Sequence, residues 1–302
     1  WGGWRWAVGA GLLALLIAFV DPRELVATLR GASPTGLLAV AALSLAWLFA
    51  GALNVFWLLR SLAPVRLPTF LRVYVTSWAG SLILPGQLGD ATQVWLLRRH
   101  GVPASSSGAA YVVDKALSLG WLTLVAAYGI GRYAPQIPTW WLPTLLLLAM
   151  AAAAVALPLL RRLPVPSTRW AARLHRAAGR LLEEASSFRR RPAAVARNLG
   201  VTIAKWVLMT LLYFAAFDAF GRPIPLEAAA TIPVMSSLVG YLPVTVGGAG
   251  TIEWTAVFLF GRIGAEEATV LSVYLVLRTV LLLSAVLLVA TLRGRVKIAE
   301  EG

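Results

Sequence analysis

The sequence predicts an all-α polytopic membrane protein with about six full spans, two re-entrant broken-helix pairs and an inverted-topology repeat. Three observations predict it. Of its 302 residues, 59% are hydrophobic and only 13% charged, where soluble domains carry about 25% charged residues. Apolar runs long enough to cross a bilayer recur along the chain. Two of these runs are interrupted by Pro and Gly at comparable places, as in transporters built from discontinuous helices.

Taken in order, Trp4 to Val20 reads as a first span, with Trp1, Trp4 and Trp6 suited to the interfacial belt. Asp21 to Ser33 reads as a short polar connector, and Thr35 to Leu59 as a second span. Thr69 to Leu84 has only 16 residues, about 24 Å of helix against a hydrocarbon core of roughly 30 Å. It stops at Pro85-Gly86, and Asp90 to His100 continues as a second short piece, so the expected path enters the membrane, breaks and returns. Ala104 to Ile130 is a full span carrying Asp114 and Lys115, and Pro138 to Leu160 is another. In the linker, residues 161–192, Arg169, Arg173, Arg176 and Arg180 recur at helical spacing beside Trp170, Leu174, Ala177 and Leu181. That pattern predicts an amphipathic helix lying on the membrane surface. Val195 to Phe220 is a span containing Lys205, and Leu226 to Leu242 with Thr251 to Arg262 forms the second broken pair. Its break holds Pro243, Gly247, Gly248 and Gly250, which cannot continue a helix; Thr251 is a good N-cap residue with Glu253 in the first turn after it. Ala265 to Leu292, with Arg278 inside, is the last span, followed by a basic tail.

With that count, 19 of the 27 Lys and Arg fall on one side: Arg5, Arg60, Arg66, Arg72, Arg98, Arg99, the ten arginines from Arg161 to Arg197, Arg293, Arg295 and Lys297. The other side receives Arg23, Arg30, Arg132, Arg222 and Arg262. The bias makes the first side cytoplasmic, with both termini inside and the protein multi-pass in the cytoplasmic membrane. The net charge of +14 is then positive-inside charge and attraction to anionic lipid at that face, so nucleic acid is not needed.

The two halves of the chain can be superposed in sequence. After the first broken pair comes Gly101, with Tyr111 ten and Lys115 fourteen residues on; after the second comes Gly264, with Tyr274 ten and Arg278 fourteen on. Val113 matches Val276 in this frame, and Asp114 falls opposite Leu277. One transmembrane domain, residues 1–302, therefore divides into repeat 1 (about 35–131), the linker and repeat 2 (about 193–292). Three spans separate equivalent helices, so the copies point in opposite directions.

The residues expected to carry function follow from depth. Lys115, Lys205 and Arg278 each lie about 15–20 Å along their spans from the nearer counted end, close to the midplane. A cation there costs at least about 2.5–3.5 kcal/mol. Either an anionic headgroup in a basic cavity compensates them, or the carboxylates Asp90, Asp114 and Glu253 do. Lys115 shares a helix face with Tyr111, and Arg278 with Tyr274, which places both tyrosines in the expected substrate site. Gly86, Gly89, Gly248 and Gly250 leave backbone N–H groups at a helix start, a place suited to phosphate. Asp90 and Glu253 open the second helix of each pair; both suit capping, and with Asp114 they are candidates for gating or ion coupling. There is no cysteine, and His100 and His175 sit in basic, loop-like contexts. No metal site, catalytic set or cofactor is therefore expected, and the chain reads as a transporter and not an enzyme.

The Pro-Gly-x-x-Gly-Asp break at 85–90, the Pro-x-x-x-Gly-Gly-x-Gly-x-x-Glu break at 243–253, and the basic helix after each resemble the flippase-like membrane domain of lysylphosphatidylglycerol synthetases. Aspartate at 90 stands where that family usually has glutamate, and Ile252 where a basic residue often precedes the glutamate. The resemblance covers nearly the whole chain. It implies movement between leaflets of a phospholipid, an aminoacyl-phospholipid or a polyprenyl-phosphate-linked sugar; aminoacyl transfer is not implied. The alternatives are a membrane-embedded lipid-modifying transferase and an ion-coupled carrier of a small soluble anion.

Overall fold

The computed structural model describes residues 22–83, 88–136, 138–140, 168–240 and 248–300, with Gly11, Thr144 and Thr245. Proline and glycine punctuate these residues into ten helices, and among them there is no strand. In chain order they are α1 (Pro22–Arg30), α2 (Pro34–Leu62), α3 (Leu67–Ile83), α4 (Leu88–Arg99), α5 (Ala104–Tyr133), α6 (Arg169–Ser187), α7 (Pro192–Ala219), α8 (Leu226–Val239), α9 (Thr251–Gly261) and α10 (Glu267–Glu300). A single 3-10 turn, Phe188–Arg190, joins α6 to α7.

Four helices are long and apolar enough to cross a membrane: α2, α5, α7 and the Glu267–Thr291 part of α10. The all-α polytopic reading is therefore right, while the spans expected at Trp4 to Val20 and Pro138 to Leu160 lie almost entirely outside the described residues, and Gly86 and the Asp90 side chain lie outside them too. The helices flanking the two breaks are shorter than the roughly 20 residues a span requires: 17 and 12 for α3 and α4, 14 and 11 for α8 and α9. Each of these helices packs against its neighbour across the break.

Two expectations need correction. Most of the polar connector at 21–33 is helical: Pro22 opens α1, whose buried Leu25 joins the core while Arg23 and Arg30 stay exposed. The cap of α9 is Gly250, not Thr251. Gly250 adopts a left-handed φ of 83° that an L side chain would resist, and the Glu253 carboxylate reaches back to its N–H at 2.7 Å.

The packing has an internal equivalence. Exchanging α1–α5 with α6–α10 in order maps each helix contact onto another: α3 on α4 onto α8 on α9, α5 on α8 onto α10 on α3, α6 on α5 onto α1 on α10. The exchange maps the α2–α7 pair onto itself. These two helices run antiparallel: Gly36 lies against Ala219, where a β-carbon would come within 2.5 Å of the alanine methyl, and Asn54 lies against Thr202 and Asn198. The turns after α4 and α9 close in the same way. Gly101 (φ 79°) donates to Arg98 O and Val102 to Leu97 O; Gly264 (φ 77°) donates to Gly261 O and Ala265 to Phe260 O. Both are left-handed glycine terminations with the paired hydrogen bonds of a Schellman end.

The core falls into two clusters. One gathers Phe217, Ile232, Phe260 and Leu271 from α7–α10, with the Phe217 and Phe260 rings 4.7 Å apart. The other gathers Phe56, Leu59, Phe70 and Leu97 from α2–α4. The arginine-rich helix α6 keeps Arg173, Arg176 and Arg180 exposed, but it is also docked on α5. Leu181 fills the space above Gly108, and the Glu184 carboxylate accepts hydrogen bonds from Ser105 (3.2 Å) and Ser106 (2.9 Å).

Candidate functional site

Of the three cations expected at one depth, Arg278 lines the cavity described below, and Lys115 and Lys205 do not. Arg278 lies on α10 within reach of α9, where its Nε donates to Oε1 of Glu253. The glutamate side chain is 0% exposed and the arginine 30%, so the pair has a dry end and an open end. Glu253 can hold this position because the glycine-rich break delivers it to the first turn of α9 with its second oxygen fixed by the Gly250 N–H. The open end faces a cavity of about 260 Å³ lined on α2 by Ser44 and Trp47, on α7 by Met209 and Tyr213, and on α10 by Tyr274 and Arg278.

Tyr274 is buried there, its hydroxyl 3.0 Å from Ser236 Oγ and its ring 5.3 Å from that of Tyr213. Ser44 also lines the cavity, and its hydroxyl is buried without a hydrogen-bond partner among the described residues. A guanidinium, a buried hydroxyl and two aromatic rings line the pocket, so a positive charge stands beside an apolar surface.

Asp114 occupies a separate cluster between α2, α5 and α7. Its Oδ1 accepts from Asn54 Nδ2 at 2.7 Å and from Asn198 Nδ2 at 2.9 Å. Asn54 donates its other proton to Thr202 (3.0 Å), and Asn198 donates to the Asn54 carbonyl (3.2 Å). This orientation is forced, because turning either amide over would set an oxygen against the carboxylate. It leaves Oδ1 of both asparagines buried with no partner among the described residues.

Lys205, one helical turn on from Thr202 along α7, lies within the electrostatic reach of both Asp114 and Lys115. Its Nζ is 5.9 Å from the Trp47 ring, and it makes no ion pair among the described residues. The Lys115 ammonium is 5.2 Å from the ring of Tyr111, as the shared helix face predicts.

The glycines act differently from expectation. The Gly250 N–H, expected to be open to an anion, is taken by Glu253. At Gly248 (φ 69°) a β-carbon would stand 2.4 Å from Ile252 Cδ1 and 3.0 Å from Gly240 Cα, so glycine is needed there for close approach. Gly89 falls in the first turn of α4. Sequence reasoning passed over Asn54, Asn198, Ser44, Trp47 and Tyr213. One signal was available: Ser44, Trp47, Gly51 and Asn54 recur at helical spacing along one face of a predicted span.

Comparison with known families places this geometry in context. The sequence model of the family described as the lysylphosphatidylglycerol synthase TM region matches residues 4–289. No curated protein matches the chain.

Proposed function

The chain belongs to the family of the lysylphosphatidylglycerol synthase transmembrane region, and from that premise we propose that it moves an anionic or phosphate-linked lipid between the leaflets of the cytoplasmic membrane. The headgroup binds in the cavity at Arg278 while the tails remain in lipid. The observation that carries this reading is the half-open Glu253–Arg278 pair: a guanidinium at membrane depth, anchored on one side by a fully buried carboxylate and presented on the other to a polar-and-aromatic cavity. A guanidinium is the side-chain group whose shape and permanent charge best suit a phosphate.

In this reading α3–α4 and α8–α9 are re-entrant pairs, and the two five-helix sets are an inverted repeat. The antiparallel α2–α7 pair and the matched glycine turns support the inversion, since equivalent helices of such a repeat run in opposite directions. The exposed arginines of α6 rest on anionic lipid at the cytoplasmic face, where both termini lie. The activity is transport, with no group transferred and no cofactor used.

The test uses phosphatidylcholine vesicles carrying headgroup-labelled phosphatidylglycerol, with the protein reconstituted and the label quenched from outside. Wild-type protein should expose inner-leaflet label to the quencher; Arg278→Lys should be slower and Arg278→Met inactive. Movement by Arg278→Met at the wild-type rate would remove the cavity from the mechanism.

A further inference from the structure

The cavity at Arg278 contains a polar group that the protein itself leaves unused. Ser44 of α2 is 2% exposed and lines that cavity, and its hydroxyl has no hydrogen-bond partner among the described residues. Other helical serines and threonines of the chain give their proton to a carbonyl three or four residues back: Ser61 to Leu58, Thr76 to Arg72, Thr210 to Trp206, Ser236 to Ile232. Ser44 makes no such bond, and a hydroxyl buried without a partner is destabilising.

The internal equivalence explains why it stands alone. α2 and α7 open on Pro34 and Pro192; counted from these prolines, Ser44 and Thr202 are each the eleventh residue, and Asn54 and Leu212 each the twenty-first. Asp114 corresponds in the same way to Leu277. In the first half the hydroxyl is satisfied, because Thr202 accepts from Asn54 at 3.0 Å and Asn54 also holds Asp114. In the second half the places of that amide and carboxylate are taken by Leu212 and Leu277, and both leucines line the cavity with Ser44. Where one half carries a polar cluster, the other carries two leucines, a lone hydroxyl and a space of about 260 Å³.

The cavity also indicates what would complete that hydroxyl. Its proton is not used by its own helix, so it suits an acceptor. The Glu253 carboxylate has both oxygens engaged, one by Arg278 and one by the Gly250 N–H, which leaves little for an ammonium. The open end of the Glu253–Arg278 pair is its positive end. The space lies below the roughly 300–1,000 Å³ of pockets that enclose a whole small ligand, so it suits a small headgroup with its tails outside. We infer that Ser44 is a second headgroup ligand, donating its hydroxyl to an oxygen of the phosphate held at Arg278, and that the site disfavours headgroups that add an ammonium. The inference rests on the transport reading above. A lipid and free inorganic phosphate share this chemistry, and the experiment separates them.

The experiment titrates purified protein in detergent with decyl phosphate, a single-tailed phosphate monoester, by calorimetry. Inorganic phosphate and decyl phosphoethanolamine are titrated in parallel, and thermal unfolding is recorded without ligand. Wild type should bind decyl phosphate, and the other two probes more weakly. Ser44→Ala should bind decyl phosphate at least about tenfold more weakly, the loss of one hydrogen bond to a charged group. Its ligand-free midpoint should stay at or above the wild-type value, because the deleted hydroxyl had no partner. Ser44→Thr, which keeps the hydroxyl, should bind as wild type does. Undiminished binding by Ser44→Ala would overturn Ser44 as a ligand, and a lowered midpoint in that variant would make its role structural. If Arg278→Met still loses binding in either case, the transport reading stands without Ser44. Absence of binding by the wild type, or full binding by Arg278→Met, would bring down both. Equal affinity for inorganic phosphate would replace the lipid headgroup by a soluble anion, and equal affinity for the ethanolamine ester would overturn the discrimination against an ammonium.

Discussion

Removing Arg278 exposes how firmly α9 is tied to α10. In the native protein both oxygens of Glu253 are engaged, one by Arg278 Nε and one by the Gly250 N–H at 2.7 Å, and the side chain is 0% exposed. Arg278→Met strands that carboxylate. Losing one partner of a buried ion pair costs about 3–5 kcal/mol. The lower end applies here, about 3 kcal/mol, because the arginine is 30% exposed and the Gly250 hydrogen bond survives. At roughly 2–4 °C per kcal/mol the unfolding midpoint should fall by about 6–12 °C. Glu253→Gln keeps an oxygen for Gly250 and strands only a half-open guanidinium, so its loss should be smaller, about 1–2 kcal/mol. The double variant Glu253→Gln/Arg278→Met carries neither charge and should recover most of the deficit, a coupling that only a direct pair produces. The assay is thermal unfolding in lipid-free detergent followed by intrinsic tryptophan fluorescence. An Arg278→Met midpoint equal to wild type, or a double variant as unstable as the sum of the singles, would refute the pair as a structural tie.

Two further outcomes follow from the break and from the repeat. Gly248→Ala should destabilise the second broken pair by about 1–3 kcal/mol, since the residue sits at φ 69° with Ile252 Cδ1 2.4 Å from the new methyl. Adding Ile252→Ala should restore part of that loss, and no restoration would mean that backbone strain alone is responsible. Single cysteines replacing Arg99 and Arg180 should be labelled from the cytoplasm, and those replacing Arg132 and Arg262 from outside; all four positions are exposed. Labelling of Arg99 and Arg180 positions from opposite sides would rule out α3–α4 as a pair that returns to its own side.

What the sequence revealed, and what it hid, divides along a physical line. Helices with their own punctuation were legible: Pro34 and Pro192 open α2 and α7, the glycines after α4 and α9 close them, and the observed ends lie within a few residues of the expected ones. The same local rules failed at Pro22–Arg30, where a short amphipathic helix has the composition of a loop and is helical because Leu25 packs into the core. A helix converts residue number into height, which is why Lys115, Lys205 and Arg278 were expected near one level. Height does not choose neighbours around the bundle. Asn54 and Asp114 are 60 residues apart in the chain and Asn198 and Asp114 are 84 apart, and no periodicity on one helix reports that such faces meet. Symmetry supplies the missing step. Because the packing exchanges α1–α5 with α6–α10, Lys115 and Arg278 occupy equivalent places, and so do Asp114 and Leu277. In one half the cation is tied to a buried carboxylate; in the other the carboxylate is held by two amides, and a second cation, Lys205, enters from the shared α2–α7 axis. Equivalent backbones thus carry unequal charges with unequal partners.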